Sequence, residues 1–454
     1  YSSNNEVEIY RQGAALSGAA DKLELDISES SSDNVVVLGY DAFSTIVGKI
    51  NSGSSYVTVV QNQDGQTLPE GSSLTDGDKN NVTFTINDAE GVSGFFDLRQ
   101  LGIGNQLTLV ANGANNDIRI DQRNTGVISD DLVGTVDGIN KMTLNVDQSN
   151  STIDISQAGP STSVISLSGD GNAITVSNSK IGDSESPIVT NVSLTNAVGT
   201  AGNVVTLNDY RQVGIADDTD TGVIVSGEGN TLTTTGDIGT FTVTGDRNNL
   251  MVQNTADYSV TARLPSISIN GSDNSAEDGL KTTGSMYGEV EAIYKIDGDN
   301  NTLKTDFFSY MGGTFEVTVN NEETGSSALG NNITIVSAYD SFKLNIQGDN
   351  NTYDFQADAY YSTSRVNSYI TGSGNTQKFR AGSEYYDHDV FPIYDITTRI
   401  VGHNNSWYYG VGTNGFSHTV DGDGFAGEVT ANSSSVGYKQ SFSQLGSGTS
   451  TLSH

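Results

Sequence analysis

GDGNAITV, residues 169–176, is one copy of a phrase that recurs along this chain: a Gly-x-x-Asn turn, then a short strand of alternating apolar and polar residues. Gly and Asn tolerate positive φ, which sharp corners between strands require. Alternation places the apolar side chains on one face of a strand, where they can be buried. Other copies lie at Gly77–Asn80, Gly102–Asn105, Gly227–Asn230, Gly245–Asn248, Gly271–Asn274, Gly298–Asn301, Gly348–Asn351, Gly372–Asn375 and Gly402–Asn405.

Neighbouring copies are often roughly 18–30 residues apart, the range in which one repeat forms one coil of a stacked solenoid. Thr, Val and Ile dominate the strands, and no amphipathic helix is recognisable. The sequence therefore predicts an all-β chain with the fold of a β-solenoid (β-helix) whose coils vary in length. We expect residues 1–454 to form a single continuous stack, with the cleanest copies in 1–160, variable coils in 161–350 and aromatic-rich coils in 351–454.

Composition restricts the partners of the chain. Its formal net charge is -34, so we expect no binding to nucleic acid or to an anionic membrane surface. It has no apolar run of about 18 residues, which predicts no membrane span, and no Cys for disulfides or thiol chemistry. Hydrophobic residues make up only 35% of the chain, but their alternation argues against disorder. The chain starts with Tyr1, and we expect a mature product exported by a cleaved signal peptide to the bacterial surface or the extracellular space.

A second phrase carries a family resemblance. NSTIDISQ at residues 150–157 is followed by Gly159, and NNDIRIDQ at 115–122 has the same frame. Gln-x-Gly occurs at 100–102, 212–214 and 444–446. These phrases resemble the repeats of curlin, the subunit of bacterial curli fibres, most clearly in residues 1–160 and near the C terminus. The resemblance implies secretion, cross-β fibres and a role in biofilm matrix, adhesion and surface colonisation.

Corner amides of stacked coils can form hydrogen-bonded ladders along the stack. A buried amide without its ladder partner would cost about 1–3 kcal/mol, which helps to fix the register. We therefore predict a structural ladder role for a set of amides: Asn105, Asn116, Gln122, Asn150 and Gln157.

Strand phrases also lie close to both ends of the chain. The outermost strands of a solenoid without polar caps present unpaired backbone groups, which a second copy can satisfy head to tail. We expect the assembly ends to include Val7, Ile9, Tyr10, Phe442 and Gln444. The predicted function is a secreted structural protein that polymerises into an extracellular filament, with itself and a matrix polysaccharide as partners. The alternatives are a non-polymerising β-helical adhesin or carbohydrate-binding surface protein, and a polysaccharide-degrading β-helix enzyme.

Oxygen-rich turns give the one cofactor candidate, calcium, with Asp297, Asp299, Asn301, Asp421 and Asp423 as ligands. Calcium takes about six to eight oxygen ligands. The other interpretation is ordinary solvated acidic turns, which we favour because no EF-hand is completed: Phe308 stands where the closing Glu of a loop from Asp297 should be.

Catalysis is not expected. The four His residues, His388, His403, His418 and His454, form no recognisable metal or Ser/His/Asp pattern. The aromatic zone, which includes Trp407 and Tyr408, has two interpretations. Exposed rings could stack on sugars, or the rings could fill wider coils or a subunit contact; we favour core or contact.

Overall fold

The computed structural model describes the strands of the chain and many of its turns. The described residues contain 35 β-strands and no helix, and the contacts divide the chain into two units, Tyr1–Thr234 and Thr235–His454. Gly77, Gln212, His388 and His454 lie outside the described residues. The described ranges are 6–11, 21–28, 34–40, 44–51, 55–62, 80–87, 94–102, 104–123, 140–159, 161–179, 188–197, 199–211, 223–237, 240–254, 266–280, 290–307, 313–321, 325, 327–337, 341–357, 365–381, 395–411, 415–431 and 439–453.

Unit 1 holds two parallel sheets, because each strand pairs with the strand two places further along the chain. The odd strands β1 to β15 form one sheet, and the even strands β2 to β16 form the other. Two successive strands therefore make one coil. The strands are β1 Glu6–Arg11, β2 Asp21–Ser28, β3 Asn34–Tyr40, β4 Ser44–Asn51, β5 Ser55–Asn62, β6 Asn81–Asn87, β7 Phe95–Leu101, β8 Gln106–Ala114, β9 Asp117–Arg123, β10 Asn140–Ser149, β11 Thr152–Ala158, β12 Ser161–Ser168, β13 Ala173–Ser179, β14 Ile188–Thr195, β15 Val204–Arg211 and β16 Val223–Ser226. The next strand, β17 Thr231–Asp237, begins in unit 1 and ends in unit 2.

Unit 2 has the same arrangement. Its odd strands β19 to β35 pair in one parallel sheet, and its even strands β18 to β34 pair in the other. The strands are β18 Thr240–Thr244, β19 Asn249–Asn254, β20 Ser266–Asn270, β21 Ser275–Leu280, β22 Val290–Asp297, β23 Thr302–Phe307, β24 Gly313–Asn320, β25 Asn332–Ser337, β26 Ser341–Gln347, β27 Thr352–Ala357, β28 Arg365–Thr371, β29 Thr376–Ala381, β30 Asp395–Val401, β31 Ser406–Val411, β32 Gly415–Asp421, β33 Phe425–Ala431, β34 Lys439–Leu445 and β35 Gly448–Ser453.

The core of each unit lies between its two sheets. Burial alternates along the strands, as in β11, where Ile153, Ile155 and Gln157 are buried and the residues between them are exposed. The side chain of Gln61 in β5 donates to Ser44 at the start of β4 at 2.8 Å, so the inward side chains of one sheet reach the other. The alternation thus confirms the predicted fold class: the chain is all-β and has the fold of a β-solenoid. The single continuous stack stays a prediction.

Register lines up like residues from coil to coil. Ile118, Ile153 and Ile174 are successive partners in the odd sheet of unit 1, and all three are buried. Such a column gives each inward apolar side chain an apolar neighbour in the adjoining coils, so a thin core still removes most of its apolar area from water.

Where the core column widens, a glycine makes room. Gly48 of β4 faces inward beside Phe84 of β6, and a Cβ at Gly48 would lie 2.3 Å from the Phe84 ring. The ring of one coil therefore occupies the space that a side chain in the preceding coil would need.

We expect Gly48→Ala to destabilise unit 1 by about 1–3 kcal/mol, because overpacking forces a core side chain away from its rotamer. The control is Val47→Ala, since Val47 is adjacent but 37% exposed on the outward face and should change stability by about 0.5 kcal/mol or less. Urea unfolding of both variants is the measurement. Equal midpoints for the two variants would contradict the packing described.

Candidate functional site

A ladder of buried asparagines runs along each unit at the corner before the odd strands. In unit 2, the backbone N–H of Asn274 donates to Oδ1 of Asn301 at 3.0 Å, and its Nδ2 donates to the same oxygen at 3.1 Å. The same contact repeats from coil to coil. The ladder comprises Asn248, Asn274, Asn301, Asn331, Asn351, Asn375 and Asn405, all at most 3% exposed.

Five asparagines of this ladder also donate to the glycine that opens the turn one coil back. Asn301 Nδ2 donates to the carbonyl of Gly271, one coil back, at 2.8 Å. The φ of Gly298 is +130°, and a Cβ there would lie 2.0 Å from the Gly271 oxygen, so no other residue fits this approach. The Gly-x-x-Asn phrase therefore supplies both partners of a bond between coils.

Unit 1 has two asparagine ladders, and the predicted ladder residues Asn105 and Asn116 belong to different ones. Asn105 belongs to the first, before even strands: Asn80 Nδ2 donates to Asn105 Oδ1 at 3.0 Å, and Asn105 donates to Asn140 Oδ1 at 3.1 Å. Asn116 belongs to the second, before odd strands, where its Oδ1 accepts from the N–H of Gly94 at 2.7 Å.

Asn150 lies beside this second ladder and not in it. It is exposed with a φ of +55°, and Ser151 takes the ladder position: Asn116 N–H donates to Ser151 Oγ at 3.0 Å, and Ser151 N–H donates to Asn172 Oδ1 at 2.9 Å. The ladder then continues through Asn203 and Asn230.

A glutamine ladder lies in the interior of unit 1, at the far end of the odd strands. Gln122 Nε2 donates to Gln100 Oε1 at 2.7 Å, and Gln157 Nε2 donates to Gln122 Oε1 at 2.8 Å. Gln100 donates in turn to Gln61 at 2.8 Å, and all four amides are at most 1% exposed. The structure thus brings the predicted pair Gln122 and Gln157 into direct contact.

We expect Asn301→Ala to cost about 1–3 kcal/mol for each partner left unsatisfied, because Asn274 and Gly271 lose buried hydrogen bonds. Asn345→Ala is the matched control, since Asn345 is exposed on the outward face of β26, and it should stay within about 0.5 kcal/mol of the parent. The free energy of unfolding from urea titration is compared for the two. If the free energy of unfolding falls no more in Asn301→Ala than in Asn345→Ala, the ladder role of Asn301 is contradicted.

Two of the candidate calcium ligands, Asn301 and Asp297, make contacts with other side chains or backbone groups. Asn301 Oδ1 accepts ladder bonds, while Asp297 lies 2.8 Å from Lys295 Nζ and accepts from Asn320 Nδ2 at 2.6 Å. Burial raises the pKa of Asp297, but the bonds from Lys295 and Asn320 outweigh it and leave that pKa below its ordinary value. In the described part of the chain, no three His, Asp or Glu side chains are grouped to hold a metal. Calcium binding stays a prediction.

The carboxylate of Asp423 links its turn to the next coil. Asp423 Oδ1 accepts from the N–H and hydroxyl of Ser447 at 2.8 and 2.9 Å, and these bonds lower the pKa of Asp423. His403 Nδ1 accepts from the Asp423 N–H at 3.1 Å. Asp421 is exposed at the end of β32 and lies beside Leu445. Asp299 is buried to 7% exposure in its turn.

The described aromatic rings of the last zone mostly lie in the core. Tyr353, Phe355, Phe379 and Tyr409 are at most 1% exposed, as the preferred interpretation predicted. Trp407 is 3% exposed and packs against Phe425 with ring centroids 5.5 Å apart. Trp407 therefore cannot offer its face to a sugar, and that alternative role is wrong for this residue; its neighbour Tyr408 points outward.

His418 is a buried residue that the sequence analysis missed. It lies inward on β32 with Trp407 and Tyr409 at ring-centroid distances of 5.0 and 5.2 Å, and Nδ1 bonds with the hydroxyl of Thr398. Burial lowers the pKa of His418 to about 3. Its position between Phe416 and Val420 in an alternating strand was the available signal.

Because the ring of His418 is neutral in the fold, we expect unit 2 to lose folding stability as the pH falls. Its pKa is about 3 in the fold and about 6.5 when unfolded, so the stabilisation is complete above pH 6.5 and is lost as pH falls towards 3. The contribution to the slope is at most about 1.4 kcal/mol per pH unit. His418→Gln should remove this part of the slope while the carboxylate part remains.

Urea unfolding between pH 7 and pH 5 measures the difference, and equal slopes would contradict it. If His418→Gln does not fold, ¹H NMR titration of the parent decides the question. One His signal should then fail to titrate above pH 5.

The predicted assembly residues lie on the outermost strands of the described chain. Val7 and Ile9 are inward residues of β1, whereas Tyr10 is 65% exposed and its ring lies over Gly39 on the outward face. Gln444 is exposed on β34 in register with Val420, and the structure describes the backbone of Phe442 alone.

Comparison with family models, curated proteins and solved structures gave no match for this chain. Across the described residues, no helix has the length and hydropathy to span a membrane.

Proposed function

We propose that this chain is a secreted structural protein whose copies stack head to tail into an extracellular filament. The observation that carries the proposal is the way in which each coil stacks on the coil before it. Each coil continues both parallel sheets in register and covers the inward side chains of the coil before it. A rung from a second copy could do the same at an open end.

The first coil, formed by β1 and β2, is the better described of the two ends. Val7 and Ile9 are partly exposed, although their register partners Val36 and Leu38 are 0% exposed. Within the described residues β1 pairs with β3 alone. This rung therefore has the inward pattern of an internal coil with one side uncovered, and apolar burial would favour its coverage.

The C-terminal rung offers backbone groups. In the described part of the chain β34 pairs with β32 alone and β35 with β33 alone. Leu445 at the end of β34 is 58% exposed. Unpaired strand edges of this kind are templates for further strands, and parallel addition of β1 and β2 from another copy would extend both sheets.

The extracellular setting and the role in a biofilm matrix come from the resemblance to curlin and belong to the proposal. The carbohydrate-binding alternative has less support, because Trp407 and Tyr409 are buried. The polysaccharide-degrading alternative lacks a supporting observation among the described residues.

The test is a double substitution in the open rung. We expect Val7→Asp with Ile9→Asp to abolish filaments, because two carboxylates would have to be buried in each junction. The matched control, Val35→Asp with Val37→Asp, places the same charges on the outward face of β3 and should still form filaments. Negative-stain electron microscopy and sedimentation read out assembly, and circular dichroism checks the fold.

Two results would overturn the proposal: no filaments from the parent chain at any concentration or ionic strength, or normal filaments from the Val7→Asp, Ile9→Asp variant.

A further inference from the structure

One outward face of unit 1 carries very little charge. It consists of the outward side chains of β4, β6, β8, β10, β12 and β14, and we call it the even face. We propose that the even face is the surface through which two copies of this chain associate side by side.

Charge is the first argument. The charged side chains among the described residues of the even face are Lys49, Lys141 and Asp147, a net charge of +1 (two positive, one negative) in a chain of -34. Two copies repel each other over most of their surface, and this face is where they can approach without that cost. Depletion of charge also marks the centres of protein interfaces.

The odd strands β7 and β9 of the same unit show the contrast. Their outward face carries ion pairs along single strands, such as Asp97 with Arg99 at 2.7 Å and Asp117 with Arg119 at 3.1 Å. Both faces are built by the same alternation, so a solvated sheet face in this chain is compatible with many charges. The same even sheet carries charge on β2, where Lys22 and Glu24 form an ion pair at 2.5 Å. Sheet geometry therefore does not account for the low charge of the even face, which is confined to β4–β14.

The even face is also ordered by its own contacts. Thr83, Thr108 and Thr143 are register partners on successive coils. Beside them, Asn87 Nδ2 donates to Asn51 Oδ1 at 2.6 Å, and Asn112 Nδ2 donates to Asn87 Oδ1 at 2.7 Å. Rows of like residues held in register are the kind of surface that packs tightly on a copy of itself.

Size is the third argument. Six strands about 4.8 Å apart and about seven residues long cover roughly 29 Å by 23 Å, or about 700 Å². A stable interface takes about 800 Å² from each partner. Val47 and Val164, which are 37% and 38% exposed on this face, supply apolar area. A two-fold contact between identical faces closes on itself, so this association gives pairs and is independent of head-to-tail growth.

The test changes the face and keeps the fold. Thr108→Glu with Thr143→Glu places two carboxylates on neighbouring coils of the even face. Thr175→Glu with Thr206→Glu does the same on the odd sheet of unit 1, where these two are also register partners. Sedimentation velocity of the full chain gives the mass of the species, and circular dichroism checks folding.

We expect dimers from the parent chain and from the odd-sheet variant. In the even-face variant the dimer dissociation constant should rise by about 100-fold or more, because like charges would face each other in a desolvated contact. If the chain also grows into filaments, scanning transmission microscopy should give half the parent mass per length for the even-face variant.

Three results would overturn the proposal. The first is that the parent chain is monomeric at every concentration and forms no paired filaments. The second is that both variants associate equally. The third is that the parent is monomeric and its even face binds a polysaccharide instead. Absence of filaments with dimers still present would contradict the head-to-tail proposal alone.

Discussion

The constraint on which the rest of the structure depends is the hydrogen bond between an asparagine backbone N–H and the side-chain oxygen of the asparagine one coil further on. In unit 2 it recurs at 2.8–3.0 Å, in a corner where the asparagines are buried. A slip of one residue would turn the inward side chains outward and leave these amides unsatisfied. The Gly-x-x-Asn sequence is local, but its hydrogen bonds to the neighbouring coil fix the register in which the coils stack.

Once the register is fixed, the core can vary from coil to coil. Unit 1 stacks aliphatic columns such as Ile118, Ile153 and Ile174, whereas unit 2 accommodates Tyr353, Trp407 and Tyr409 in the same inward positions. Glycines such as Gly427, where a Cβ would lie 1.9 Å from the Trp407 ring, give the larger rings their space. Hydrogen bonds hold the coil spacing, so the side-chain volume need only balance between neighbouring coils.

The sequence predicted the features that depend on local pattern. Alternation identified the strands, and Gly with Asn identified the corners, because both signals act within a few residues. The partners of each amide lie one coil away, and they depend on which corner of its own coil the amide occupies. Asn105 precedes the even strand β8 and Asn116 precedes the odd strand β9, so they fall in separate ladders. Ser151 takes the place expected for Asn150. The burial of His418 follows the same alternation, because Phe416, His418 and Val420 stand at alternate positions of one strand.

Cysteine pairs test the register directly, because the chain has no Cys of its own. Lys304 of β23 is in register with Thr334 of β25, while Thr302 is offset by two residues. Register partners lie about 4.8 Å apart, within the Cα separation that a disulfide spans, whereas the offset pair is beyond about 7 Å. In-register stacking predicts rapid disulfide formation for Lys304→Cys with Thr334→Cys and little for Thr302→Cys with Thr334→Cys, as measured by mass spectrometry after mild oxidation. Equal yields, or a preference for the offset pair, would contradict in-register stacking.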